Sequence, residues 1–223
     1  MYINHIISAF FFVITAVSCR TETPSALNGS EFDAHWTVES EDPAYGIEFK
    51  DGYCEITAPK GLTLWRNEKM SGNVTIEYDA CVVVENENDR LSDLNCFWMA
   101  SDPRAKDIWE NMDERGGVFA NCASLQLYYV GYGGNWNSTT RFRRYNGEGA
   151  PPIIQEYSDE EHLLQANRWY HIILKCTDGN TNYTIDGNKI FDWTDPEPIT
   201  EGWFGFRTTL SRTRIKNFNY HTN

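Results

Sequence analysis

Alternating apolar and polar positions predict strands along most of the chain. The longest signal is residues 73–84, where Val74, Ile76, Tyr78, Ala80 and Val82 alternate with Thr75, Glu77, Asp79 and Cys81. Successive strand residues point to opposite faces, so this segment has one apolar face and one polar face. Before it, residues 32–38 open the domain. Residues 46–49 and 53–57 flank the turn Lys50-Asp51-Gly52 as a hairpin, and a short strand follows at 62–66. Residues 94–100 (LNCFWMA) are apolar on both sides except for Asn95, the pattern of a central strand. The last third is regular: 169–176, 182–185, 189–193, 202–209 and 214–220 read as strands, with turns at Asp178-Gly179 and Asp186-Gly187.

Three segments interrupt this rhythm. Residues 85–93 form a charged loop. Residues 101–120 carry Asp-Pro, Gly-Gly and many charges, with a short helix expected at 105–112. Residues 146–165 contain Pro151-Pro152 and a helical turn expected at 158–164. Excursions this long inside a compact domain are functional or disordered. No long helix and no repeat is visible. Many short strands at near-even spacing predict a β-sandwich of two antiparallel sheets of the jelly-roll kind.

Composition narrows the picture. Of the 223 residues, 8 are Trp, 12 Tyr and 12 Phe, enough aromatics for a core with some left over for a binding surface. The net charge of −13 argues against nucleic acid as a partner. Residues 6–17 are apolar over the length of a signal peptide, too short to span a bilayer comfortably. They end in Ala16-Val17-Ser18-Cys19, which resembles a bacterial lipobox. The expected organisation is a signal peptide at 1–18, a lipidated Cys19 with a polar tether to residue 30, and a single domain over 31–223. An ordinary cleaved signal peptide is the alternative, and either way the chain is exported. A lipid anchor would be the only membrane contact. Beyond Cys19 an odd number of cysteines remains: Cys54, Cys81, Cys96, Cys122 and Cys176. Cys81 and Cys176 read as small apolar core residues. A bridge involving Cys96 and Cys122 stays open, and no zinc motif is present.

The stretch that carries candidate chemistry is 123–145, ASLQLYYVGYGGNWNSTTRFRRY. Two strand-like runs, 124–132 and 139–145, flank a Gly/Asn-rich loop. In the first run Leu125, Leu127 and Tyr129 alternate with Gln126, Tyr128, Val130 and Tyr132. If the leucines face the core, Gln126, Tyr128 and Tyr132 face outward. In the second run Arg141, Arg143 and Tyr145 share a face and Phe142 opposes them. Trp203 and Arg207 likewise share a face opposite Phe204 and Phe206.

The strings GLTLW, DLNCFWMASDP, LYYVGYGGN, TTRFRRY and GWFGFRT, spread between Gly61 and Thr209, resemble a domain-of-unknown-function family numbered 6250. That family is found mainly in secreted proteins of polysaccharide-utilising Bacteroidetes. The C-terminal third also resembles the concanavalin-like jelly rolls, which include lectin-type domains, glycoside hydrolases and polysaccharide lyases. The resemblance implies a sandwich with a concave glycan-facing sheet and a polysaccharide-degrading context. A structural Ca2+ held by the Asp and Asn residues of 85–93 would fit such a domain. No other cofactor and no catalytic metal is expected.

Three chemistries follow. A lyase neutralises a uronate carboxylate and removes the proton beside it. Arg141 and Arg143 with Asn95 would be the neutralisers, since a guanidinium matches a carboxylate bidentately, and Tyr128 would be the proton-transfer group. Gln126, Tyr132, Trp136, Tyr145, Trp98, Trp203 and Arg207 would bind the sugar, the tryptophans by stacking. The expected partner is an acidic poly- or oligosaccharide. The second chemistry is non-catalytic binding on the same face. The third is hydrolysis by carboxylates from the long loops, Asp102, Asp107, Glu110 or Asp113; on residues 77–82 the Glu-x-Asp-x-x-Glu pattern of laminarinase-like hydrolases lacks its last Glu. The arginines also have a plain alternative, to balance neighbouring carboxylates.

Overall fold

Thirteen strands form among the described residues, Leu27 and 29–222 of a computed structural model, and every pairing between them is antiparallel. In chain order they are β1 (Trp36–Ser40), β2 (Gly46–Lys50), β3 (Tyr53–Arg66), β4 (Met70–Ser71), β5 (Val74–Val82), β6 (Leu94–Ser101), β7 (Gln126–Gly133), β8 (Thr139–Asn146), β9 (Ile153–Tyr157), β10 (Tyr170–Thr177), β11 (Asn180–Ile185), β12 (Asn188–Thr194) and β13 (Glu201–Thr222). Two of them, β3 and β13, serve two layers each. Residues 203–209 of β13 lie between β6 and the second half of β3; from Ser211 onward β13 lies between β5 and the first half of β3. The result is a front sheet ordered β1-β3-β13-β6-β7-β8-β9 and a back sheet ordered β2-β3-β13-β5-β10-β11-β12.

The crossing in β13 falls at a bulge. Register shifts between Thr209 and Ser211, where Leu210 of β13, exposed with a φ of +50°, stands opposite two residues of β3, Pro59 and Lys60. A bulge re-aims a strand without ending it, which is how one strand turns the corner between two sheets. The strands expected at 202–209 and 214–220 are therefore one element, as are those at 53–57 and 62–66. The expected helix at 105–112 is absent; a four-residue helix stands at Met112–Arg115 and a 3-10 helix at Phe119–Ser124. Within 146–165, β9 forms in addition to a 3-10 turn at Glu160–His162.

The alternation on β5 is obeyed: Val74, Ile76, Tyr78, Ala80 and Val82 are buried between the sheets. Across the gap, Tyr78 packs on Phe204 and Phe206, Phe142 on Phe191, and Tyr132 on Tyr170, while the Trp98 indole N–H donates to Thr181 Oγ1 at 3.1 Å.

A second apolar cluster lies on the outward face of the front sheet. Trp65, Phe97, Leu127, Tyr129, Tyr145 and Trp203 are covered there by Ile108, Cys122 and Leu125 from the segment between β6 and β7. A buried polar clamp holds this cover down. Glu39 of β1 accepts from Arg115 Nη2 at 2.9 Å, from Trp65 Nε1 at 2.9 Å and from Gly117 N, and Arg115 Nη2 also reaches Ile108 O. Gly117 has a φ of +72° and lies so close to β1 that a Cβ would fall 2.3 Å from Glu41 N, so only glycine fits. Asp102 anchors the other end through Arg104 and Asn111. Burial alone would raise the Asp102 pKa, but these hydrogen bonds outweigh it and bring it down to about 2.

All five described cysteines are free and buried. Cys96 belongs to the core between the sheets and Cys122 to the outward cluster, so the bridge left open between them is not made. Burial pushes the thiols of Cys54 and Cys96 up to about 12 and that of Cys122 to about 11.

Candidate functional site

Register across the front sheet aligns its outward-facing residues into rows. One row runs Glu39, Thr63, Arg207, Asn95, Gly131, Arg141, Glu156; the next runs Thr37, Trp65, Gly205, Phe97, Tyr129, Arg143, Ile153. A polar row thus lies beside an aromatic one. The cover buries the left part of both. To the right it stops, and a groove of ≈ 490 Å³ opens over the β7–β8 hairpin, within the ~300–1,000 Å³ usual for small-molecule sites. Tyr129, Gly131, Arg141, Arg143 and Tyr145 line it. Phe119 and Ala123 of the cover wall one side, Pro151 the other, and Gly134 and Asn135 bound it at the hairpin tip.

The groove exists because of Gly131. A Cβ at this position would lie 2.3 Å from the Tyr129 hydroxyl, so the missing side chain leaves room for the phenol to lie over the backbone of its own strand. That hydroxyl has no hydrogen-bond partner among the described residues. Burial first, then Tyr145 and Asp93, raise the Tyr129 pKa well above the ordinary tyrosine value, with Arg207 and Arg143 acting in the opposite sense. Tyr145 is raised as well, by burial and then Cys122. Arg143 donates to Pro151 O at 2.6 Å and Arg141 pairs with Glu156. Each guanidinium has five N–H donors, so both keep unused donors beside the groove.

The expected site residues divide between the two faces. Arg141, Arg143, Tyr145 and Asn95 lie on the outward face. Tyr128, Tyr132 and Trp98 lie on the other one, and the expectation that Tyr128 faces outward with the arginines is corrected. Its ring packs on Trp98 and Phe142, and its hydroxyl donates to Asp195 Oδ2 at 2.7 Å and accepts from Ile199 N. Tyr132 donates to Leu163 O. Gln126, half-buried, shares the Tyr128 face by alternation. The cause is the second cluster: Leu125 and Leu127 do face a core, but the outward one made by the cover. Because the strand period is two, exchanging the faces moves the candidate role from Tyr128 to Tyr129.

Trp203 and Arg207 do share the outward face, yet both are buried under the cover. Trp203 Nε1 donates to Asn67 O, and Arg207 Nη1 donates to Gly117 O at 2.7 Å and to Thr63 Oγ1. Asn95 is 7% exposed, with its Nδ2 3.5 Å from Asp93 Oδ1 and its Oδ1 unpartnered. Trp136 stands exposed at the hairpin tip. Cys19 lies outside the described residues. Sequence reasoning missed Tyr129, Gly131, Phe119 and Pro151; the readable signal was Gly131, a lone glycine inside a strand pattern.

Several of the loop carboxylates serve the cover or the sheet. Asp102 is buried in its pairs, and Asp107 caps Trp109 N and Glu110 N. On the 85–93 loop, Asp89 accepts from Glu85 N, Asn86 N and Arg212 Nη2, Glu85 pairs with Arg212 and Arg214, and Asp93 pairs with Arg90 at 3.0 Å. In this fold the carboxylates of Glu85, Asp89 and Asp93 are paired with arginines. Among the described residues no group of three or more His, Cys, Asp or Glu could hold a metal, and no helix is long and apolar enough to cross a membrane.

The model of the family described as domain of unknown function DUF6250 matches residues 56–218. The chain belongs to this family. No curated protein matches the sequence. Among solved structures, the DUF6250 chain is similar to a Bacillus subtilis protein of unknown function with a galectin-like fold (TM-score 0.73, 17% identity, 90% of this chain and 94% of that one). It is also similar to the carbohydrate binding module CBM66 from Bacillus subtilis (TM-score 0.58, 15% identity, 84% and 96%). A third similar structure is the exoplasmic/lumenal domain of VIP36 in its Ca2+/Man3GlcNAc-bound form (TM-score 0.62, 10% identity, 91% and 88%). At these identities the shared property is the fold: the DUF6250 domain is an all-β jelly-roll sandwich.

Proposed function

We propose that this domain is an exported carbohydrate-active protein that receives an acidic glycan in the groove over the β7–β8 hairpin. The observation that carries the reading is the convergence of Arg141 and Arg143 with the rings of Tyr129, Tyr145 and Phe119 on one groove. Arginine forks suit a uronate carboxylate, and aromatic rings suit the apolar face of a pyranose. The likeness to a carbohydrate binding module and to a sugar-bound lumenal domain supports the same reading. Cleavage of the leader after Ser18 and lipidation of Cys19 would tether the domain at the cell surface, as the lipobox-like junction suggests.

Binding without cleavage stands first. Burial keeps the phenols of Tyr129 and Tyr145 protonated well beyond neutral pH, so neither is suited to remove a proton unaided. The second reading, β-elimination, is favoured by the unpartnered Tyr129 hydroxyl beside Arg143. There the arginines neutralise the uronate, a water or the Tyr129 phenolate takes the C5 proton, the C5–H electron pair forms the C4=C5 double bond as the C4–O bond breaks, and the departing oxygen takes a proton from the Tyr129 phenol.

The test is to challenge the mature domain with pectins, glucuronans, alginate and glycosaminoglycans, on affinity gels and by ultraviolet absorbance of unsaturated uronates. Retention that is lost in Arg143→Ala, with no absorbance rise, is the expected result. A rise abolished by Tyr129→Phe would install the lyase reading instead. Absence of retention and of any rise on every glycan would overturn the groove as an acidic-glycan site.

A further inference from the structure

Trp136 combines two features that the fold does not need. It is 71% exposed, more than any other large apolar side chain among the described residues. Its backbone is left-handed (φ +60°, ψ +45°), between Asn135 at φ +51° and Asn137 at φ +54°. Asparagine tolerates that region; tryptophan there is an outlier that persists only where the surroundings impose it.

The surroundings do impose it. Asn137 is bonded at both ends of its amide, accepting from Leu164 N at 2.8 Å and donating to Leu164 O at 2.9 Å. Ser138 and Asn135 bond to each other, and Gly133 O accepts from Asp93 N and Ser92 Oγ. Behind the indole, the Arg90 guanidinium lies 4.1 Å from the ring centroid and is itself held by Asp93 and Thr209 O. One face of the ring is braced and the other is open to solvent. Gly134 and Asn135, the two residues before Trp136, line the end of the groove.

Resting on the groove reading above, we infer that Trp136 is a second sugar subsite and that the ligand is therefore an oligosaccharide rather than a single sugar. Its acidic residue lies over Arg141 and Arg143, and a neighbouring pyranose stacks on the open face of the indole. A fixed aromatic face recognises the C–H face of a sugar with little loss of conformational freedom on binding, because the cost of holding the ring is met in the folded protein before the ligand arrives.

The experiment measures the affinity of the mature domain for fragments of one to four residues from galacturonan, glucuronan and alginate. In the wild type, affinity should rise about two- to tenfold when the fragment reaches the indole. Trp136→Gly, which suits a left-handed backbone, should keep at least the wild-type melting temperature and lose that gain, while binding the single uronate as before. Trp136→Phe should recover part of it. If the wild type binds single residues and oligomers equally, or Trp136→Gly retains the gain, the subsite is overturned while the groove reading survives. If no fragment binds the wild type at any length, the groove reading falls and the subsite with it.

Discussion

Gly131 and Tyr129 illustrate how one missing side chain makes a site. Adding a methyl group at Gly131 would put a carbon 2.3 Å from the Tyr129 hydroxyl and 2.9 Å from its ring carbon. Overpacking of this kind costs about 1–3 kcal/mol, and the phenol must swing into the groove to relieve it. Gly131→Ala is therefore expected to lower stability by that amount and to weaken retention on the glycan by roughly tenfold, read by melting and by affinity gel on the same sample. Tyr128 provides the opposite test. Tyr128→Phe removes a buried bond to Asp195 at 2.7 Å and leaves that carboxylate with Arg144. It should cost about 1–3 kcal/mol of stability without changing glycan binding, because the ring lies between the sheets. A binding loss in a folded Tyr128→Phe domain would contradict the assignment of faces.

The element that decides what the groove can reach is the cover between β6 and β7. Its hold on β1 is the Glu39–Arg115 pair, in which both side chains are almost wholly buried. Removing one partner of a buried pair strands the other charge, at about 3–5 kcal/mol. Arg115→Met should show that loss in denaturant unfolding, together with new proteolytic cuts between residues 102 and 124. The double change Glu39→Leu with Arg115→Met should regain only part of the stability, since neither charge of the pair is then left buried but Trp65 Nε1 and Gly117 N lose their acceptor. The far end of the cover responds to pH. The Asp102 carboxyl ionises at about 2 in the fold against 3.8 in the unfolded chain, so its contribution is complete above pH ~4 and lost as pH falls through ~2. The difference is worth about 2 kcal/mol. Stability followed between pH 5 and 2 should decline by about that much more in the wild type than in Asp102→Asn.

At the scale of the whole molecule, two cores share one front sheet, and no disulfide among the described residues helps to hold them. The five described thiols are all buried, Cys54, Cys96 and Cys176 in the core between the sheets and Cys122 in the outward one, with pKa values pushed upward by burial. The domain should keep its melting temperature in excess reductant. Its thiols should react with a maleimide only after denaturation. A drop in melting temperature on reduction would mean that the cysteines pair.

The sequence by itself determined the strands, the sandwich, and the residues that share a face. Alternation on β5, the arginines of β8 and the Phe204/Phe206 pair were all legible, because a period of two is a local property of extended backbone. It did not determine which face of β7 carries the site. Both faces of that strand are buried against something, one by the back sheet and one by the cover, so apolar residues alternate with apolar residues and the inward row cannot be told from the outward one. The same limit hid β3 and β13 as single strands, because a bulge such as that where Pro59 and Lys60 oppose Leu210 interrupts the period without ending the element. Only tertiary structure, by laying residues 102–125 over half of the front sheet and leaving the other half open, moved the candidate site from Tyr128 to Tyr129, buried Trp203 and Arg207, and left Arg141, Arg143 and Trp136 accessible to a ligand.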